Sequence, residues 1–550
     1  MADRSASESV PRQVSSEGDE DEAREEMEKR EPASVALLPR IDERRQASLG
    51  RSESESAAGD GGVGSYGSVM KRCVVPFFLL LLVVGFVSYT AGQKQKRGPE
   101  DWGPGRPLRK LSRPSVILIS ADGFRWTYNF KLPTPNIERL RTNGTEAVTG
   151  LIPVFPSLTF PNHYSIVTGL YPAWHGVIAN SFSDPEFEDP IGFYQGNIDP
   201  KWWGGEPIWV TATKNGLQAA TYFWPGSEVP NGPWTCPPDF CQHYNKTVPY
   251  EDRVDTVLSY MDLPTDKIPS FISLYFESPD HEGHQTGPDS PEVAAAVGRI
   301  DSLIGRLIDG LEARGLMEDV TIILVGDHGM AANCDSKMIY LEDMELGHEL
   351  NFEWVDAYGA LLSIRPPPDV DAKALYEKMA KAMASGKVPN SEFLNLYLKE
   401  DLPERLHYSA NERIQPIIGM PAEGYKVGLT RYSVCGAECG GQHGYDNQLL
   451  SMRTVFIAHG PQFARGRTVP SFINVEIYNI LSSILELKSP AANNGERSTR
   501  YHAADIDVLQ QTLGQVELGR NVGFDLVAGN KKIPRHFVHR PDLVGGRRTE

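Results

Sequence analysis

Three apolar, β-branched runs in this 550-residue chain each lead toward an acid, and two of those acids lie close to a histidine. Residues 115–120 (Ser-Val-Ile-Leu-Ile-Ser) run into Asp122. Residues 271–276 run toward Asp280, with His284 four residues on, and residues 320–325 run into Asp327, His328 and Gly329. A further histidine, His443, sits in Gly-Gln-His-Gly at 441–444. Carboxylate and imidazole are the ligand types that suit zinc and other transition metals. Asp327 and His328 are sequence neighbours, and a regular helix or strand turns neighbours to different faces. Both can reach one ion only where the backbone turns, which Gly329 permits. Asp280 and His284 have the spacing of one helical turn, or of a loop wrapped around an ion. Singly, each pair also reads as a surface or capping feature. Together, so many ionisable groups at the ends of apolar runs require partners, because an unpaired buried charge is costly.

A hydroxyl completes the set. Thr159 lies in Phe-Pro-Ser-Leu-Thr-Phe-Pro-Asn-His-Tyr at 155–164, with Pro161 where a helix would begin. The amino end of a helix offers free N–H donors and the positive end of the dipole, a setting for phosphate. Next to a metal, such a hydroxyl becomes an activated nucleophile. The alternative is an ordinary helix-capping threonine.

Short apolar runs bounded by turn residues read as buried strands, and ligands of open α/β sheets gather beyond the carboxyl ends of the strands. Ser290-Pro291 is an N-cap and first-turn pair. It opens a helix in which Val293, Val297, Ile300, Ile304, Leu307 and Leu311 recur at helical spacing. Alternating strands and helices from residue 115 predict an α/β fold with a mostly parallel central sheet flanked by helices. Further strands are expected at 358–364 and 454–458. The 365–433 stretch reads as an inserted subdomain with a helix near 371–384.

Outside this region the chain changes character. Residues 1–72 are rich in Ser, Glu and Arg and nearly free of aromatics, the composition of a disordered tail. Residues 73–92 form a charge-free apolar stretch long enough to span a bilayer. It begins too far from Met1 for a cleaved signal peptide; a buried core helix is the alternative. The expected organisation is therefore a tail (1–72), a transmembrane signal-anchor (73–92), a Pro/Gly-rich stalk (93–114), a catalytic domain (115–488) and a polar extension (489–550). Lys71 and Arg72 flank one end of the span and Lys94, Lys96 and Arg97 the other, so the positive-inside count does not favour a cytosolic amino terminus. The sequons at Asn143 and Asn245, and the close pairs Cys236/Cys241 and Cys435/Cys439, favour the secretory lumen or the cell exterior. Cys334 is left without a partner in this reading, and each close pair could instead hold zinc. The formal net charge of −18 argues against polymeric nucleic acid as a partner. A small anionic substrate stays compatible, since bound cations reverse the local field.

The motifs at 119–125 (Ile-Ser-Ala-Asp-Gly-Phe-Arg), 155–172, 275–288, 326–330 and 441–447 closely resemble those of the ectonucleotide pyrophosphatase/phosphodiesterase family, within the alkaline phosphatase superfamily. The resemblance covers roughly residues 115–485. It implies two zinc ions, one held by Asp280, His284 and His443, the other by Asp122, Thr159, Asp327 and His328. It implies that Thr159 attacks phosphorus to form a phosphothreonine that water then hydrolyses, and that Asn180 contacts a non-bridging phosphate oxygen. Phe160 and Tyr244 match a pair of rings that sandwich a nucleotide base, and Tyr275 matches a pocket-lining tyrosine; a plain core role is the alternative for these rings. Gly204 stands where animal members often have a lysine, and the compact form is more similar to plant or microbial members. The expectation is a single-pass type II membrane glycoprotein that cleaves nucleoside triphosphates, dinucleotides or nucleotide sugars to release a nucleoside monophosphate. Its rivals are a phospholipid-type phosphodiesterase and a catalytically inactive surface binding protein.

Overall fold

A computed structural model describes residues 106–495 apart from 188, 190, 348–349 and 432–438. The expected tail, the 73–92 span, the first part of the stalk and everything past 495 lie outside the described residues. Among the described residues no helix is long and apolar enough to cross a membrane.

The first six strands are β1 (Ser115–Ala121), β2 (Thr145–Ala147), β3 (Ala219–Tyr222), β4 (Cys241–Gln242), β5 (Phe271–Phe276) and β6 (Val320–Val325). They are followed by β7 (Ala331–Asn333), β8 (Met338–Tyr340), β9 (Val355–Ala357), β10 (Leu362–Ile364), β11 (Leu394–Leu398), β12 (Ile417–Pro421), β13 (Lys426–Gly428), β14 (Gly440–Gln442), β15 (Phe456–His459) and β16 (Arg467–Val469). The helices used below are α1 (Pro135–Thr142), α2 (Thr159–Thr168), α3 (Tyr250–Tyr260), α4 (Asp280–Thr286), α5 (Pro291–Ala313), α6 (Ala372–Ala384) and α7 (Glu476–Ile484).

The central sheet has eight strands in the order β16-β2-β15-β6-β1-β5-β3-β4. β1 lies between β5 and β6 and runs parallel to both. All residues of β1, β5 and β6 are buried, which is why they read as continuous apolar runs rather than alternating ones. Successive side chains still point to opposite faces. Val116 and Leu118 join the core that α2 and α7 cover, while Ile117 and Ile119 join the core under α1, α3 and α5. The Ser290 hydroxyl caps α5 by accepting the Val293 N–H, as its sequence position requires.

Several expectations change. The sheet is mixed, because β15 runs antiparallel to both β6 and β2. The strand expected from Tyr358 begins only at Leu362: Gly359 sits at φ +111° and breaks the extended path. The inserted subdomain starts earlier than 365. β9–β12 form an antiparallel four-stranded sheet with its own core, to which α6 adds Leu375 and Met379. Cys236 and Cys241 are bridged as expected. Cys439, however, pairs with Cys334 across 105 residues of sequence, with Cα atoms 4.2 Å apart; Cys435 lies outside the described residues. The bridge joins the ends of the antiparallel pair β7 and β14. The last residues of the expected stalk lie on the domain: the backbone N–H groups of Arg109, Lys110 and Leu111 all donate to the Asp319 carboxylate, just before β6.

Candidate metal centre

Because β1, β5 and β6 end side by side, the acids that follow them are brought together. The Asp280 N–H donates to the Asp122 carbonyl at 3.0 Å. Gly123 has φ +65°, and a Cβ there would lie 2.8 Å from the Asp280 Cβ, so this crossing needs glycine. The Gly123 N–H donates to Asp327 Oδ1 at 3.0 Å.

Two groups result. In the inner group, His328 Nε2 lies 3.0 Å from Asp327 Oδ2 and 3.4 Å from Asp122 Oδ1. In the outer group, His284 Nε2 and His443 Nε2 are 3.0 Å apart, each 3.4 Å from an oxygen of Asp280. Asp280 and His284 occupy one helical turn of α4. The His328 and His443 rings stack at 3.5 Å, so the two groups adjoin.

The hydrogen bonds behind the ligands set their chemistry. His328 Nδ1 lies 2.9 Å from the Gly329 carbonyl, His443 Nδ1 2.9 Å from that of Ser157, and His284 Nδ1 3.1 Å from that of Gly441. A carbonyl only accepts, so each Nδ1 carries a proton and each Nε2 is turned inward, where a ring can offer its lone pair to a cation. This outward anchoring is how metal-binding imidazoles are held. Among the described residues, Asp122 Oδ1, Asp280 Oδ1 and Asp327 Oδ2 are buried without a hydrogen-bond partner. Inward lone pairs beside bare carboxylate oxygens fit metal cations.

The electrostatics agree. Burial, then the Asp327 and Asp280 charges, push the Asp122 carboxyl well above the usual range. Burial also raises Asp280, and burial with the neighbouring imidazoles holds His443 well below its ordinary value. Burial opposes the charge on Asp327 too, but the His328 and His163 imidazoles and the Gly123 N–H outweigh it and keep that carboxyl ionised.

Thr159 is the first residue of α2, and its Oγ1 lies 3.2 Å from His328 Nε2. Asn180 Oδ1 accepts the N–H of Phe160 at 2.9 Å, which ties it to the same helix start. Phe160 packs by its edge near Phe193 and Trp203. Tyr244 is half exposed, edge-on to Phe223, with its backbone N–H donated to Glu228. Tyr275 is buried, and its hydroxyl donates to Asp122 Oδ2 at 2.6 Å, which commits it to a member of the inner group. His163, one turn after Thr159 on α2, also reaches the inner group, 3.3 Å from Asp327 Oδ2, and Ser120 bonds to His163; sequence reading assigned neither. The signal for His163 was its i+4 spacing from Thr159, which puts both on one helix face.

Residues 116–446 match the family described as type I phosphodiesterase / nucleotide pyrophosphatase. Venom phosphodiesterase 2 of Crotalus adamanteus is 40% identical over 398 residues, covering 70% of this chain and 47% of its own. Ectonucleotide pyrophosphatase/phosphodiesterase family member 1 of Homo sapiens is 40% identical over 397 residues, 71% of this chain and 42% of its own. The chain thus spans less than half the length of these curated relatives. Among solved structures, murine ectonucleotide pyrophosphatase/phosphodiesterase 5, an inactive threonine-to-alanine variant in complex with AMP, is 31% identical. It superposes with a TM-score of 0.62 over 70% of this chain and 98% of its own. The human counterpart gives 30%, 0.61, 71% and 99%. The α/β fold described above is shared with these solved structures. The chain belongs to the ectonucleotide pyrophosphatase/phosphodiesterase family of the alkaline phosphatase superfamily.

Proposed function

We propose that this protein is a two-zinc hydrolase that cleaves nucleotide pyrophosphate and phosphodiester bonds through a phosphothreonine, releasing a nucleoside monophosphate. The observation that carries the reading is the Thr159 hydroxyl, at the start of α2 and 3.2 Å from an inner-group imidazole whose other nitrogen is anchored away. Asp280, His284 and His443 would hold one ion, and Asp122, Asp327, His328 and Thr159 the other. Ions bound there would stabilise the negative charge on the entering and leaving oxygens. The Thr159 oxygen bonds to phosphorus as the bond to the leaving group breaks, and water then hydrolyses the phosphothreonine. Asn180, with its Oδ1 committed to Phe160, has its amide N–H groups left to donate to a phosphate oxygen. Phe160 and Tyr244 hold the base. The inactive threonine-to-alanine relative in complex with AMP supports both the nucleophile and the substrate class.

The test is turnover of the purified full-length chain on a nucleotide p-nitrophenyl ester, a dinucleotide and a phosphocholine ester, with metal analysis. Thr159→Ala should lower turnover by on the order of 10³-fold or more while zinc stays bound; wild-type turnover in this variant would sink the covalent mechanism. Faster cleavage of the phosphocholine ester would move the substrate class to phospholipids.

The same reading places the domain on the luminal or outer side of a membrane, tethered by residues 73–92. Asn143 and Asn245 are both exposed on the described surface, which supports glycosylation. Glycosidase treatment of expressed protein should lower its apparent mass, and an unchanged mass would count against that side.

A further inference from the structure

His163 is fully buried, yet no step above uses it. Its Nδ1 lies 2.9 Å from the carbonyl of Thr159 and 3.3 Å from Asp327 Oδ2. Its Nε2 lies 2.8 Å from the Ser120 hydroxyl, two residues before Asp122. The Thr159 carbonyl only accepts, so Nδ1 carries the proton, and Nε2 of the neutral ring accepts from Ser120. One imidazole therefore ties three elements: α2 with Thr159, the end of β6 with Asp327, and the end of β1 with Asp122. Tyr275 and Trp224 meet its ring edge-on, each at 5.1 Å, and the Trp224 indole N–H donates to the His163 carbonyl. The ring is held on every side and has no route to substrate.

We propose that His163 is a positioning residue that fixes the distance between the Thr159 nucleophile and the inner acid–histidine group, through an Nδ1 bonded to the Thr159 carbonyl and lying 3.3 Å from Asp327 Oδ2, and an Nε2 bonded to Ser120 beside Asp122. The proposal rests on the reading of Thr159 as nucleophile. Its physical content is alignment. An attacking oxygen displaced by about 1 Å can cost about a hundredfold in rate with substrate binding unchanged. Ordinary core packing makes no such distinction between rate and binding.

Side-chain geometry allows a sharp test. The amide nitrogen of asparagine can take the place of Nδ1, whereas that of glutamine reaches the place of Nε2. His163→Phe keeps a flat aromatic ring, somewhat larger than imidazole, and loses both nitrogens. Full-length His163→Phe, His163→Asn, His163→Gln and Thr159→Ala are compared for kcat, KM, bound metal, unfolding temperature with and without metal, and rapid-quench formation of phosphothreonine. We expect His163→Phe to lower kcat and the phosphothreonine burst rate ten- to hundredfold, with KM within about twofold and metal content retained. His163→Asn should recover most of that loss and His163→Gln little of it. Parallel loss of kcat, metal and unfolding temperature in all three His163 variants would overturn the proposal in favour of a structural role. So would wild-type kcat in His163→Phe while Thr159→Ala is inactive. An active Thr159→Ala would instead remove the nucleophile reading, and the positioning role with it.

Discussion

The inner and outer acid–histidine groups use the same side-chain types, but the fold treats them differently. Asp122, Asp327 and His328 are all but fully buried at the ends of β1 and β6. In the outer group only His443 is buried; the side chains of Asp280 and His284 are 17% and 38% exposed. The inner ligands rest on central strands of the sheet. The outer ones come from a two-turn helix and from the chain after β14, which the Cys334–Cys439 bridge fastens to β7. Burial raises the cost of leaving carboxylates together without a cation. Under the two-ion reading proposed above, the inner group should therefore depend on a bound cation more, and release it less readily, than the outer one.

The largest test of that contrast is to break one ligand in each group. Asp327→Ala should cost at least about 10³-fold in kcat/KM, more than the ten- to hundredfold typical of losing a partner behind a ligand, and excess zinc should not restore it. His284→Ala should be substantially restored by added zinc, because that site is open to solvent. Equal rescue of both variants in a zinc titration would erase the distinction.

A smaller effect isolates the support behind the inner ligands. Tyr275→Phe removes only the hydroxyl that donates to Asp122 Oδ2. It should weaken zinc at the inner group ten- to hundredfold and leave the outer one unchanged. Metal content at limiting zinc checks this, and loss of both ions in step would show that the groups bind as one unit.

The smallest effect concerns the metal-free protein. Asp122 is raised in the folded state, so above the unfolded value of about 3.9 the native state holds a proton that the unfolded chain has released. Stability from this group is present at low pH and falls as pH rises through the folded value. His443 is lowered, so its contribution runs the other way, recovering as pH climbs toward about 6.5. Asp122→Asn should raise the metal-free unfolding temperature at pH 7 by a few °C and lower it when zinc is present. Thermal unfolding with and without zinc from pH 5 to 8 reads both signs. A variant that is destabilised in both conditions would mean that the carboxylates do not repel one another in the native state.

The difference between the two groups was only partly visible in the residue string. Asp122, Asp280 and Asp327 could be placed at one sheet edge because the runs before them are unbroken and apolar, and Thr159 could be placed at a helix start because Pro161 follows it. Relative exposure could not be read, since it depends on which loop covers which ligand. Cys439 was misassigned for a related reason. It lies four positions from Cys435 and 105 from Cys334, but a bridge needs only that the Cα atoms come within about 7 Å, and here the pairing of β7 with β14 brings the distant cysteine into reach. Antiparallel β15 was also hidden, because a short apolar run carries no mark of its direction. The inserted sheet was missed where its strands are only three to five residues long, too short to show a period.

One attachment has a mechanical consequence. Asp319 clasps three successive backbone N–H groups of the incoming chain at the start of β6, and Asp327 stands just beyond its other end. The two are separated by about 20 Å of strand in the middle of the sheet. Arg106, earlier in the chain, adds bonds to the Pro461 and Gly460 carbonyls and to Glu318, so the leading chain is fastened both before β6 and just after β15. Residues 106–111 are thus attached at the edge of the sheet opposite the acid–histidine groups, and tension applied through them would enter the domain away from Asp122, Asp280 and Asp327.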